Sequence, residues 1–184
     1  MSGQSESTGA NRYNKRHERS RARCSALQIL YQSEILQTSA HQLIVEGNYI
    51  LEEGIPSAYA QQLVRGCQEH LEEIDKLIND ASENWSLMRM PMVDRSLLRL
   101  AAYEMLYVDT VPLSVSINEM VELAKDFGGE DESHRFVNGI LGRIALIIED
   151  SASADKLAVN DSFSESASED SGMAEIVSQQ SDES

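Results

Sequence analysis

From Ala26 onward, apolar residues return every three or four positions, in blocks parted by Gly, Pro and short polar runs. That spacing belongs to helices that lay one face on a core. Ala26, Leu27, Leu30, Tyr31 and Ile35 make the first stripe. Ser39 and Gln42 have capping-box spacing and are followed by Leu43, Ile44, Ile50 and Leu51, so a short helix is expected over 39–53, with Gly47 inside it and Gly54 as its stop. Pro56 suits a first helical position. Behind it Tyr59, Leu63, Cys67, Leu71, Ile74, Leu77, Ile78 and Ala81 predict one long helix of about seven turns. Val93, Leu97, Leu100, Ala101 and Met105 predict the next, with Asp94, Arg95 and Arg99 on its polar faces. Ile117, Met120, Val121, Ala124 and Phe127 give another, stopped by Gly128 and Gly129. The last helix begins near Ser133, behind acidic residues that suit its positive end, and carries Phe136, Val137, Ile140, Leu141, Ile144 and Ile148. No stretch alternates with the period of two that strands need, and no repeat of solenoid length is present. The fold class is therefore all-α, with six to seven helices.

Composition then sets the borders. Residues 1–15 are small and polar, and residues 150–184 are dominated by serine and acid without an apolar period, so both termini are expected to be disordered. The helical domain is expected over 16–149. Within it the stretch NWSLMRMP, with the chain's one tryptophan, Trp85, reads as a connector that divides subdomains of about 16–84 and 85–149. Asn138-Gly139 is the one local conflict in the last stripe. A glycine inside a helix costs about 1 kcal/mol relative to alanine, which predicts close packing or a nearby backbone or ligand.

Charge changes the picture more than composition does. The formal net charge is −16, yet residues 12–23 hold six of the fifteen basic side chains: Arg12, Lys15, Arg16, Arg19, Arg21 and Arg23. Residues 1–23 carry +4, residues 24–149 carry −12 and residues 150–184 carry −8. A chain so divided suggests an interaction arm at one end and a repelling or regulatory tail at the other. Five of the six cations are arginine. Its planar fork pairs with phosphate and stacks on unpaired bases, and arginine-rich segments commonly order on RNA. The register that puts Leu27, Leu30 and Tyr31 on the core predicts that the upstream arginines face away from it. Tyr13 adds a possible stacking ring.

Catalytic chemistry finds little support. Asp131-x-x-His134 is half of a di-metal carboxylate motif, and the second half is missing. There is no CxxC, HExxH, phosphate-cradling glycine loop or nucleophile elbow. Cys24 and Cys67 fall on helical patterns with no secretory signal before them, which points to reduced thiols in a cytoplasmic protein. No apolar run approaches the ~20 residues that cross a bilayer. Neither a cofactor, a metal nor an enzymatic activity is expected.

Four segments together, RARCSALQILYQ, VDRSLLRLAAYEM, VPLSVSINEMVELAKDFG and HRFVNGIL, resemble the NusB family of bacterial transcription antitermination proteins, and the likeness runs from about Arg19 to Ile148. The resemblance implies two small helical bundles packed together and no catalysis. It implies an RNA-binding adapter that takes the boxA element of ribosomal RNA leader transcripts as single-stranded RNA. The partners would be the ribosomal protein NusE and the RNA polymerase antitermination complex. By the same resemblance the RNA-binding residues are Arg16, Arg19, Arg21, Arg23, Tyr31, Asp94, Asp131, Arg135 and Phe136, and NusE meets the C-terminal bundle. Ser20 interrupts the basic run, the turn GGEDESHRF is a residue longer than the family pattern, and the acidic tail lies outside it. A NusB-like domain also opens some RNA cytosine methyltransferases, but no α/β cofactor domain follows it here. An adapter in which NusE binding dominates and RNA contact is incidental is the alternative.

Overall fold

The computed structural model describes the backbone of residues 5–51, 54–83, 85–129 and 132–172, and side chains within those stretches between 17 and 154. Seven α-helices follow one another, and no strand occurs among the described residues. They are α1 (Ser5–Leu36), α2 (Ala40–Glu46), α3 (Ala58–Glu69), α4 (Leu71–Ala81), α5 (Met92–Tyr107), α6 (Leu113–Phe127) and α7 (Ser133–Gly172), with a 3-10 turn at Leu87–Arg89 before α5. Over 5–15 and 150–172 the backbone continues α1 and α7 into flanks whose composition predicts disorder. Extending an existing helix gains one hydrogen bond per residue, so it does not require the apolar stripe that both flanks lack.

The chain divides into two compact units, residues 1–145 and 146–184. In the first, α5 is the central element. Eleven of its sixteen residues are buried, which marks a helix surrounded by others rather than one with a single wet face. It packs on α1, α3, α4 and α6, while α1 also packs on α2 and α3. Leu97, Leu98, Leu100 and Ala101 of α5 have no exposed surface, and each leucine contributes roughly 1.5–3 kcal/mol through burial. Ala26, Leu27 and Ile29 of α1, Leu63 and Val64 of α3, Ile74 and Ile78 of α4, and Val137, Leu141 and Ile144 of α7 are also buried. The second unit opens with exposed Leu146 and Ile147, and Ser151 and Ser153 donate back to Ile147 O and Glu149 O within its helix, both at 2.8 Å.

Two helix boundaries differ from the sequence reading. Ser39 does cap α2, accepting from the Gln42 N–H, but α2 stops at Gly47 instead of running to Glu53. Gly47 takes the left-handed conformation (φ 65°) and its N–H returns to Ile44 O and Leu43 O, the geometry of a helix C-terminus. Ile50, 84 % exposed, is therefore outside the helix and contributes nothing to its buried face. The long helix over 56–81 is two helices, broken at His70 (φ −110°, ψ 21°). Ser57, not Pro56, starts the first of them, accepting from the Ala60 N–H at 3.2 Å. The apolar stripe keeps its phase across the break, so periodicity alone cannot show it.

Glycines separate by what surrounds them. A Cβ on Gly66 would lie 1.9 Å from the Tyr103 ring, whereas one on Gly139 would meet nothing within 4 Å. Close packing therefore explains Gly66 and not Gly139. Gly66→Ala should destabilise the protein by about 1–3 kcal/mol through overpacking. Gly139→Ala should stabilise it by about 0.5–1 kcal/mol, the helix-propensity gain. Urea denaturation of the two variants beside the wild type checks both signs.

Candidate nucleic-acid interface

The arginine arm enters the fold along α1, and its arginines have unlike fates. At 3.6 residues per turn, Arg19 and Arg23 share a face while Arg21 points nearly the opposite way. Arg21 is exposed and lines a surface hollow with Glu18, Ser25, Ile55 and Ser57. Arg19 is half-buried. Its guanidinium lies 5.0 Å from the centre of the Tyr59 ring, and its Nη2 donates to Thr110 Oγ1 at 3.1 Å. Arg23, only 2 % exposed, turns into the core.

That burial corrects the expectation that all the upstream arginines face away from the core. Arg23 Nε donates to both oxygens of Glu104, at 2.8 and 3.1 Å, and Nη1 donates to Glu119 Oε2 at 3.2 Å. Glu104 has no exposed surface, and its remaining acceptor capacity is met by the Tyr59 hydroxyl and the Ser116 hydroxyl, each at 2.5 Å. Ser20 donates to Glu119 Oε2 at the same distance. One polar cluster thus joins α1, α3, α5 and α6. A buried ion pair is tolerated when its charges are paired and its polar atoms bonded, and here both oxygens of Glu104 and two nitrogens of Arg23 are engaged. Burial, reinforced by the bond to Glu104, pushes the Tyr59 phenol well above its ordinary range, so it remains a donor.

A second cluster fixes the far half of α1. Arg95, also buried, donates to Glu34 and to the carbonyls of Leu87 and Met90, both at 3.2 Å. Arg99 forms a two-pronged pair with Asp75 at 2.7 and 2.8 Å. Asp94 is 3 % exposed and accepts from the Ser133 hydroxyl, which ties the start of α5 to the start of α7. Asp94 and Arg95 therefore brace the fold and do not lie on the polar faces that periodicity predicts for them.

The remaining predicted positions fall into separate groups. Tyr31 is half-buried on α1, twelve residues or about 18 Å of helix beyond Arg19. Arg135 is exposed and pairs with Glu132 at 3.3 Å. Phe136 is half-buried and meets Trp85 edge-on, with ring centres 5.9 Å apart. Trp85 is 55 % exposed, so it offers an aromatic surface beside Phe136. Asp131 and the Arg16 side chain lie outside the described residues, as do the side chains of Arg12, Tyr13 and Lys15. Sequence reasoning missed Tyr59, Thr110, Glu104 and Glu119. Their one legible signal was an acid, Glu104, inside the apolar run LLRLAAYEM, which demands a buried basic mate.

Comparison with known proteins then decides the lineage. Residues 20–146 match the NusB family. This chain belongs to the NusB family. It is 42 % identical over 134 residues to the transcription antitermination protein NusB of Bacillus subtilis, an alignment that covers 73 % of this chain and 99 % of that protein. It is similar to the solved structure of T. maritima NusB, with 40 % identity, a TM-score of 0.62, and coverage of 69 % of this chain and 89 % of that one. It is also similar, at 27 % identity and a TM-score of 0.58, to a chain in the crystal structure of antitermination factors NusB and NusE in complex with dsRNA, covering 70 % of this chain and 96 % of that one. The acidic stretch after Asp150 lies outside the family match. Among the described residues no helix is long and apolar enough to cross a membrane. Nor, among them, do three His, Cys, Asp or Glu side chains gather where they could hold a metal ion.

Two measurements test the polar core of this NusB-family fold. Glu104→Ala removes the fully buried partner of Arg23, leaving it Glu119 alone, and should cost about 3–5 kcal/mol in chemical denaturation, while Glu122→Ala, which breaks the exposed pair with Lys125, should cost under about 1 kcal/mol. Burial also pushes the Cys67 thiol far above its ordinary range. In thiol counting, Cys67 should resist a neutral-pH disulfide reagent until the chain is denatured.

Proposed function

We propose that this chain is a transcription antitermination factor, an RNA-binding adapter that takes boxA-like single-stranded RNA of ribosomal RNA leader transcripts together with ribosomal protein NusE and serves the RNA polymerase antitermination complex. The observation that carries this reading is the match to a transcription antitermination protein over 99 % of its length. A related complex of NusB and NusE with dsRNA supports the partners. The adapter works in the cytoplasm, by binding alone and without a catalytic step or cofactor.

Chemistry assigns the parts. Arg16, Arg19 and Arg21 neutralise phosphates along the middle of α1, where the acidic body would otherwise repel RNA. Tyr31, Arg135 and Phe136 supply rings and a cation for unpaired bases, with Asp131 four residues before Arg135 in sequence as a further contact. Arg23 and Asp94, being buried, serve RNA binding by holding α1 and α7 in place. The net charge of −12 over residues 24–149 favours a second reading, in which NusE binding dominates and RNA contact is incidental.

The two readings separate when boxA RNA and a scrambled control are titrated with and without NusE at two salt concentrations. The adapter reading expects boxA to bind more tightly than the control, and more tightly again with NusE. Arg19→Ala with Arg21→Ala should weaken boxA binding and flatten the plot of log affinity against log salt by about 1.4, since each single-strand phosphate left without its arginine accounts for about 0.7. Unchanged affinity in that double variant at fixed salt would remove the arm from the interface.

A further inference from the structure

We propose that Tyr59 and Thr110 are positioning residues that hold the Arg19 guanidinium ready for RNA. This rests on the reading of the α1 arginines as RNA ligands, and it assigns a role to two residues outside the arm.

A long arginine on a helix surface samples many rotamers, and immobilising it on binding lowers affinity. Arg19 is restrained beforehand from two directions. The Tyr59 ring, at the start of α3, lies under its charge at 5.0 Å, within the range of cation–π attraction. The Thr110 hydroxyl, in the turn between α5 and α6, accepts from its Nη2 at 3.1 Å. Neither support is loose. The Tyr59 hydroxyl donates to Glu104, a carboxylate with no exposed surface that Arg23 and Ser116 hold from two further helices. Thr110 sits in a turn closed by the Val111 N–H to Val108 O at 2.9 Å. Support therefore passes from the buried cluster through Tyr59 to Arg19, one helical turn before Arg23 itself enters that cluster.

The restraint leaves the group competent. A guanidinium has five N–H donors, and Thr110 engages one nitrogen. Arg19 keeps part of its surface in solvent, where the other donors can meet phosphate oxygens or its plane can stack on an unpaired base. Tyr59 and Thr110 thus act through Arg19 and need not touch RNA.

Double-mutant cycles on the full chain with NusE, read as boxA RNA affinity at one fixed salt concentration, test this. Tyr59→Leu and Thr110→Val are each made in the wild-type and Arg19→Ala backgrounds, with thermal unfolding recorded for every variant. Each substitution should weaken binding about three- to tenfold when Arg19 is present, and should change nothing once Arg19 is alanine. Tyr59→Phe, which keeps the ring and loses the hydroxyl, should fall between wild type and Tyr59→Leu. Thr110→Val preserves shape at an exposed turn outside the buried cluster, so it reports on positioning even if Tyr59→Leu lowers stability. Equal weakening with and without Arg19 overturns the positioning role of the residue concerned, as does no weakening where Arg19→Ala alone weakens binding. If Arg19→Ala itself leaves affinity unchanged, Arg19 is no RNA contact and the arm reading falls at that position along with the inference.

Discussion

A carboxylate without exposed surface governs how this protein presents its cations. Glu104 sits on the central helix, and removing it from water is tolerable only because Arg23, Tyr59 and Ser116 meet its oxygens. Those three residues come from α1, α3 and α6. The requirement to satisfy one charge therefore fixes four helices relative to one another, more specifically than apolar burial does. Leucine faces tolerate small slides and rotations, whereas a carboxylate whose two oxygens are engaged from three sides tolerates very few.

The same requirement resolves an oddity of the basic arm. Six cations in twelve residues look like one electrostatic device, but α1 divides them by face. Arg23 is structural, Arg21 meets solvent, and Arg19 lies at the boundary. Ser20, which interrupts the basic run, is not a lapse in it. Its hydroxyl donates to Glu119, and an arginine there would bring a second guanidinium to a carboxylate that Arg23 already engages.

Much of the fold was legible from period alone. The stripes on α5 and α7 fell largely where the structure buries them, because a core-facing helix must repeat its apolar positions every 3.6 residues, whereas on α6 only Met120 and Ala124 of the stripe are buried and Phe127 is exposed. What periodicity could not see was phase-neutral or polar. The break at His70 leaves the stripe from Leu63 to Ile78 in register, and the stop at Gly47 depends on a left-handed residue that composition only hints at. The interface was legible to a smaller degree. Charge density located the arm, but an arginine that dives inward looks the same in sequence as one that faces solvent. Its mates Glu104 and Glu119 lie more than eighty residues away, and no local rule pairs them with it.

That separation also sets a schedule for synthesis. Arg23 leaves the ribosome 96 positions ahead of Glu119. At roughly 5–20 residues per second, the interval is roughly 5–20 seconds. Throughout it, α1 can be helical and can meet α2 and α3, but the sides of its seat that pair Arg23 belong to α5 and α6. The nascent chain thus carries a cationic segment whose Arg23 has not yet met its carboxylates. Assembly of the buried pair ends that state and turns a generic polycation into a surface with a defined shape.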